Sequence, residues 1–162
     1  MGIERILKRA EVFLGLDDSE LARIAALPSC HEEDYPAGAV VFKSGTDTKF
    51  LYLLREGQVS LTIDVPTKGK QPGTRVVVHK VTTGGVFGWS AIVAPRFYTL
   101  TAVCEEPSRV VAIGGDELLA LFNREYHIGY KVFQSLSQII GARLRDLEQV
   151  LLKGQRWPLL EK

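Results

Sequence analysis

The chain has 162 residues, 46% hydrophobic and 24% charged, which suits one domain with a sizeable core and excludes a disordered chain. Its 20 Lys and Arg stand against 19 Asp and Glu, a formal net charge of +1, so no broad field draws it onto nucleic acid or an anionic membrane. Cys30 and Cys104 lie far apart and outside any CxxC pair, which argues against a disulfide framework or a structural zinc site and reads as two buried thiols in a reducing cytoplasm.

The N-terminal stretch carries Glu4, Arg5, Lys8, Arg9 and Glu11, so it lacks the unbroken apolar core of a signal peptide. No later stretch is apolar for long enough to span a bilayer, and a cytoplasmic location is expected. Ile3, Ile6, Leu7, Ala10, Phe13 and Leu14 recur at helical spacing, and Asp17 or Asp18 offers a cap ahead of Leu21, Ile24, Ala25 and Leu27. Two short amphipathic helices are predicted there.

From about Tyr35 to Ile113 the texture changes to short β-rich runs: Ala39–Phe42, Phe50–Leu54, Val59–Ile63, Arg75–Val81, Leu100–Cys104 and Arg109–Ile113. Gly, Pro, Asp and Thr punctuate them, and no helical segment intervenes to carry a parallel crossover, so an antiparallel sandwich or barrel is expected. The break Val65 to Thr74 reads as an exposed, mobile hairpin loop.

After Gly114–Gly115 helical periodicity returns, with Asp116 expected to cap a short DELLALF segment. A long helix is predicted from about Tyr126 to Leu152. In it Tyr126, Tyr130, Phe133, Leu136, Ile140, Leu144, Leu147 and Leu151 form a narrow seam, while Val132, Ile139 and Val150 widen the apolar surface beyond it. Gly154 ends the helix, and Trp157, Leu159 and Leu160 in the tail are apolar enough to dock on the domain. All 162 residues are taken as one domain: helices over 1–34, a β-barrel over 35–113, and helices and tail over 114–162.

Between two of the predicted strands, residues 84–102 read GGVFGWSAIVAPRFYTLTA. A Gly-rich turn entering a short small-residue helix, followed by Arg96, is a physically sensible anion site, with backbone N–H groups and a guanidinium aimed at one ligand. With FLGLDDSELARIAAL, YPAGAVVFKSGTDTKFLYLLREGQVSL, the closing strand and the long helix, the chain resembles the cyclic nucleotide-binding domain of catabolite-activator-type regulators, kinase regulatory subunits and gated channels. The resemblance implies a mainly β fold, an eight-stranded antiparallel double-stranded β-helix (jelly-roll) barrel with N-terminal helices and a long C-terminal helix.

It also implies a ligand, cyclic AMP, cyclic GMP or another phosphate or anion, held by Phe87, Gly88, Trp89, Ser90, Ala91, Arg96, Phe97 and Tyr98. The family's cassette reads Phe-Gly-Glu-hydrophobic-Ala and then Pro-Arg-small-Ala-Thr, its Glu on the ribose hydroxyl and its Arg on the cyclic phosphate. Phe87, Gly88, Ala91, Pro95, Arg96, Thr99 and Ala102 match. Trp89 stands in the Glu position and Phe97 in the small one. An indole only donates, so the lost charged hydrogen bond would cost on the order of 1.5–3 kcal/mol. Alternation from Arg96 turns Phe97 outward, and Trp89 reads either as a ligand-stacking ring or as packing for the long helix.

His31, His79 and His127 are widely spaced, with no carboxylates in register for a cupin-type metal site, and Ser90 lacks an elbow and an adjacent base. No catalytic residue, metal or cofactor is therefore assigned. A DNA-reading head would need several tens of residues beyond the long helix, so direct DNA binding is not expected. Two non-catalytic readings stand: a sensor that docks a small anionic ligand and relays binding through the long helix to a separate effector protein, or a degenerate, ligand-free module for dimerisation or protein contacts. In the sensor, Gln134, Gln138, Arg143 and Trp157 are candidate lid contacts. A homodimer through the long helices is expected in either case.

Overall fold

The fold is described from a computed structural model over residues 2–66 and 73–154. The tail with Trp157 and residues 67–72 of the expected hairpin loop lie outside the described residues. In chain order the elements are α1 (Ile3–Leu7), a 3-10 turn (Glu11–Phe13), α2 (Asp18–Ala25), β1 (His31–Tyr35), β2 (Val40–Phe42), β3 (Phe50–Glu56), β4 (Val59–Val65), β5 (Thr74–Val81) and β6 (Val86–Phe87). A second 3-10 turn (Trp89–Ala91), β7 (Thr101–Cys104), β8 (Ser108–Gly114), α3 (Gly115–Arg124) and α4 (Tyr126–Gly154) follow.

The strands form two four-stranded antiparallel sheets, ordered β1-β8-β3-β6 and β2-β7-β4-β5. Within the first sheet the inner strands β3 and β8 are largely apolar on both faces. Leu51, Leu53, Val111 and Ile113 point to a core shared with the helices, whereas Tyr52, Leu54, Val110 and Ala112 point into the barrel against Val59, Leu61, Ala102 and Cys104. Successive side chains of a strand face opposite ways, so β3 and β8 can serve both cores only if nearly every residue is apolar.

Two strands escaped the periodicity. β1 is HEEDY, a sequence that strand propensity disfavours, and it starts the barrel at His31 rather than near residue 35. It is an edge strand whose acids find cations: Glu32 pairs with Arg55, and Asp34 lies 2.5 Å from Arg109. β6 holds only Val86 and Phe87, too short to show alternation, and pairs with Leu53 and Tyr52.

Asp17, not Asp18, caps α2. Its side chain accepts from the Glu20 N–H at 2.9 Å, and the Glu20 carboxylate accepts from the Asp17 N–H at 2.8 Å. Asp116 does not cap α3: Gly114 is the N-cap residue and Asp116 lies in the first turn, facing Arg96. The reason is steric, since a Cβ on Gly115 would lie 2.2 Å from the Ala91 carbonyl oxygen, and the helix starts where backbone can pass backbone.

On α4, Ile128, Val132 and Leu136 are buried and Ile139 and Ile140 partly so, whereas Tyr126, Tyr130, Leu144, Leu147, Val150 and Leu151 are exposed. Most of the predicted seam thus faces outward, and a neighbouring stripe packs on the domain.

The close pass at Gly115 yields a paired expectation. Gly115→Ala should cost about 1–3 kcal/mol by overpacking. Gly141→Ala, where a Cβ meets nothing nearer than the Arg145 guanidinium at 3.4 Å, should stabilise by roughly 0.5–1 kcal/mol. Urea denaturation midpoints of both variants check the two signs.

Candidate functional site

The cassette crosses from β6 to β7 over one end of the barrel, and aromatic rings set what lies beneath it. Phe42 and Tyr98 stack with centroids 3.7 Å apart and planes 11° from parallel; Tyr52 and Phe87 stack at 5.2 Å, and Phe42 reaches Phe87 at 6.0 Å. The Tyr98 hydroxyl donates to the Phe50 carbonyl at 2.9 Å and faces the Lys49 and Phe50 N–H groups at 3.4 and 3.3 Å. A buried phenol needs such partners, and with them the ring is locked inside. Tyr98 is only 4% exposed.

Of the expected site residues, Gly88, Trp89, Ser90 and Tyr98 come together, with Phe42 and Arg143, around a cavity of about 50 Å³. Gly88 has φ +71°, and a Cβ there would press on Tyr52 and Phe42 at 3.1 and 3.2 Å, so glycine is required for the cassette to settle on the rings. Phe87 is buried below as part of the stack. Ala91 is buried against Gly115, and the Ser90 carbonyl accepts from the Thr48 hydroxyl at 3.2 Å.

Arg96 stands apart from this cavity. Its guanidinium pairs with Asp116 at 2.7 Å in a partly exposed position, an arrangement that contributes no more than about 1 kcal/mol. Phe97 turns outward, 43% exposed, and bridges to Asp47.

The cation at the cavity comes from α4. The Arg143 guanidinium carbon sits 4.4 Å over the Trp89 ring, one nitrogen donates to the Val86 carbonyl at 2.5 Å, and the same nitrogen is 3.6 Å from Glu11. The Glu11 carboxylate also accepts from the Val86 N–H at 2.9 Å. Burial lowers the Arg143 pKa to about 10 against the pull of Glu11, and its other terminal nitrogen is buried with no acceptor among the described residues. Trp89 therefore packs against both the helix-side core and α4, joining the cassette to the helix. Of the candidate lid contacts among the described residues, Arg143 is the one that stacks on the cassette's Trp89.

A family model for the cyclic nucleotide-binding domain matches residues 32–125, more than half of the chain. The chain belongs to the cyclic nucleotide-binding domain family. The domain is 29% identical to a cyclic nucleotide-binding protein from Geobacter metallireducens GS-15, with a TM-score of 0.73 over 89% of this chain and 99% of that one. It is 27% identical to the Thermus thermophilus catabolite activator protein, with a TM-score of 0.68 over 89% of this chain and 63% of that one. A Rhodopseudomonas palustris protein described as a potassium channel protein is 27% identical over 150 residues, which are 93% of this chain and 34% of that protein. The chain thus spans about a third of that relative. Cyclic nucleotide-binding domains are typically regulatory rather than catalytic.

Other chemistry finds little footing. Burial, with Glu117 nearby, raises the Cys30 thiol to about 11, and burial also raises Cys104, so neither supplies a thiolate at neutral pH. Among the described residues no group of three His, Cys, Asp or Glu could hold a metal, and no helix is long and apolar enough to cross a membrane.

What the sequence reading missed is the plug. Tyr98 occupies the place where the family's cassette has Ala, and a ring there, backed by Phe42, takes up barrel space. The bulk of the residue at that place was the available signal. A double-mutant cycle on Trp89→Ala and Arg143→Ala, followed by urea denaturation, should give a coupling of about 1 kcal/mol. A coupling within about 0.3 kcal/mol of zero would show that the stacked pair does not hold α4 to the cassette.

Proposed function

We propose that this cyclic nucleotide-binding-type domain is a non-catalytic regulatory module whose barrel is filled by its own side chains, and that it works through partner contacts along α4. The observation that carries this reading is the ring stack of Phe42, Tyr98, Phe87 and Tyr52, which leaves about 50 Å³ under the cassette, beside a cavity of about 140 Å³ toward α4 that shares Leu61, Trp89, Leu100 and Arg143 with it. Pockets for small organic ligands start near ~300 Å³. Trp89 offers no carboxylate for a ribose, and Arg96 is already paired with Asp116.

The exposed face of α4 supports the second half of the reading. Tyr126, Tyr130, Leu144 and Leu151 are exposed along its outer side, an apolar stripe longer than a lone small domain ordinarily leaves in water, while Leu147 and Val150 border a cavity beside Arg143. A second copy of the chain, meeting it helix to helix, is the partner proposed first, with an effector protein reading the pair.

Two measurements test this. Calorimetric titration with cyclic AMP and cyclic GMP should give no binding up to about 1 mM, that is, weaker than roughly −4 kcal/mol, with Arg96→Ala behaving like wild type; clear binding that Arg96→Ala abolishes would restore the ligand-sensor reading. In sedimentation velocity the wild type should run as a dimer and Leu144→Glu as a monomer, whereas two identical monomer boundaries would remove the dimer.

A further inference from the structure

A cavity of about 210 Å³ lies between α1, the end of β3 and the turn before β6, and shares no lining residue with the cassette cavity. Ile6, Leu53 and Leu54 give it an apolar floor, and Arg5, Arg9 and Arg55 line it together. Arg55 is engaged by Glu32 and by Glu56, the latter at 3.3 Å, which also holds the one acidic lining residue. Arg5 and Arg9, like Arg124 and Arg145, have no carboxylate within 4.0 Å among the described residues, but only Arg5 and Arg9 share the lining of a cavity. With Arg55 already paired, Arg5 and Arg9 are left as the cavity's uncompensated cations, and one anion can use the forked donors of both.

We propose that this cavity binds a small organic anion, a carboxylate or phosphate monoester carried on a compact apolar body, with Arg5 and Arg9 as its counter-ions. The volume is below the ~300 Å³ at which drug-sized pockets begin, so the apolar body is about one ring in size. The site also adjoins the α4 contact. Two residues after Arg9, the Glu11 N–H donates to the Gly84 carbonyl at 3.0 Å, and the Glu11 carboxylate meets both Val86 and Arg143. An anion drawing Arg9 inward therefore acts on the segment that positions Arg143 over Trp89. The proposal does not depend on whether the barrel takes a ligand.

Calorimetric titration of the full chain with phenyl phosphate at low salt tests it, with inorganic phosphate for comparison. Phenyl phosphate should bind with Kd near 0.1 mM, and inorganic phosphate about tenfold more weakly for want of the apolar floor. Arg5→Gln and Arg9→Gln should each weaken phenyl phosphate about tenfold. Lys8→Gln, on the same segment but paired with Asp18, and Arg96→Ala should leave it unchanged. Both cavity arginines are exposed, so melting curves should match wild type; if Arg9→Gln melts early, Arg5→Gln carries the comparison. No phenyl phosphate binding by about 10 mM, or equal weakening by Lys8→Gln, would overturn the proposal.

Discussion

Double burial of one sheet is the constraint on which the rest of this molecule depends. β3 and β8 run between the helix-side core and the barrel interior, with Leu51, Leu53, Val111 and Ile113 on one face and Tyr52, Leu54, Val110 and Ala112 on the other. A fully buried side chain of this size contributes roughly 1.5–3 kcal/mol, and a register slip of one residue would exchange the two sets. The cassette inherits this rigidity: β6 pairs with β3 through only two residues, and Ala91 is pressed against Gly115 at the start of α3. The segment that holds ligand in the resembling family is held here from both cores.

That position gives the charges their meaning. Arg96 looks outward to Asp116, while Arg143 reaches inward from α4 to lie over Trp89 and bond to Val86. The buried guanidinium is costly to desolvate, as its lowered pKa records, and the indole face and Glu11 offset that cost. The result is a direct bond from cassette to helix formed by the chain's own residues. Further along α4 the side chains become more exposed, although Asp146, Leu147 and Val150 still border cavities against β5. The helix is thus anchored at Ile128, Val132 and Leu136 and clamped at Arg143, and its next turns run beside β5 with Leu144 and Leu151 exposed on the outer side.

Much of this was legible beforehand where a pattern repeats. The run FLYLL and the closing strand read as strands because nearly all their residues are apolar; a cap at Asp17 or Asp18 and the spacing of Leu21 and Ile24 marked α2; the length of α4 followed from its recurring steps of three and four. β1 was not legible, because Glu32, Glu33 and Asp34 join a sheet only when Arg55 and Arg109 arrive from elsewhere in the chain. The expectation that Asp116 caps α3 failed for a related reason, since the backbone contact between Gly115 and Ala91 set the start of the helix.

The candidate site divides along the same line. Trp89 in place of an acid, Phe97 in place of a small residue and the Gly-rich turn were visible in the order of residues, because each is a local substitution in a local motif. Whether the barrel is open was not, because the volume under the cassette depends on Phe42, Tyr52, Phe87 and Tyr98, four rings drawn from four separate segments. Nor does any spacing say that Arg143, 47 positions after Arg96, is the cation that reaches the cassette. By itself the sequence determined most of the elements and the family, since periodicity and motif act over a few residues; only the tertiary structure decided the strands β1 and β6, how the site is filled and which charges pair, because those outcomes rest on side chains that meet through space.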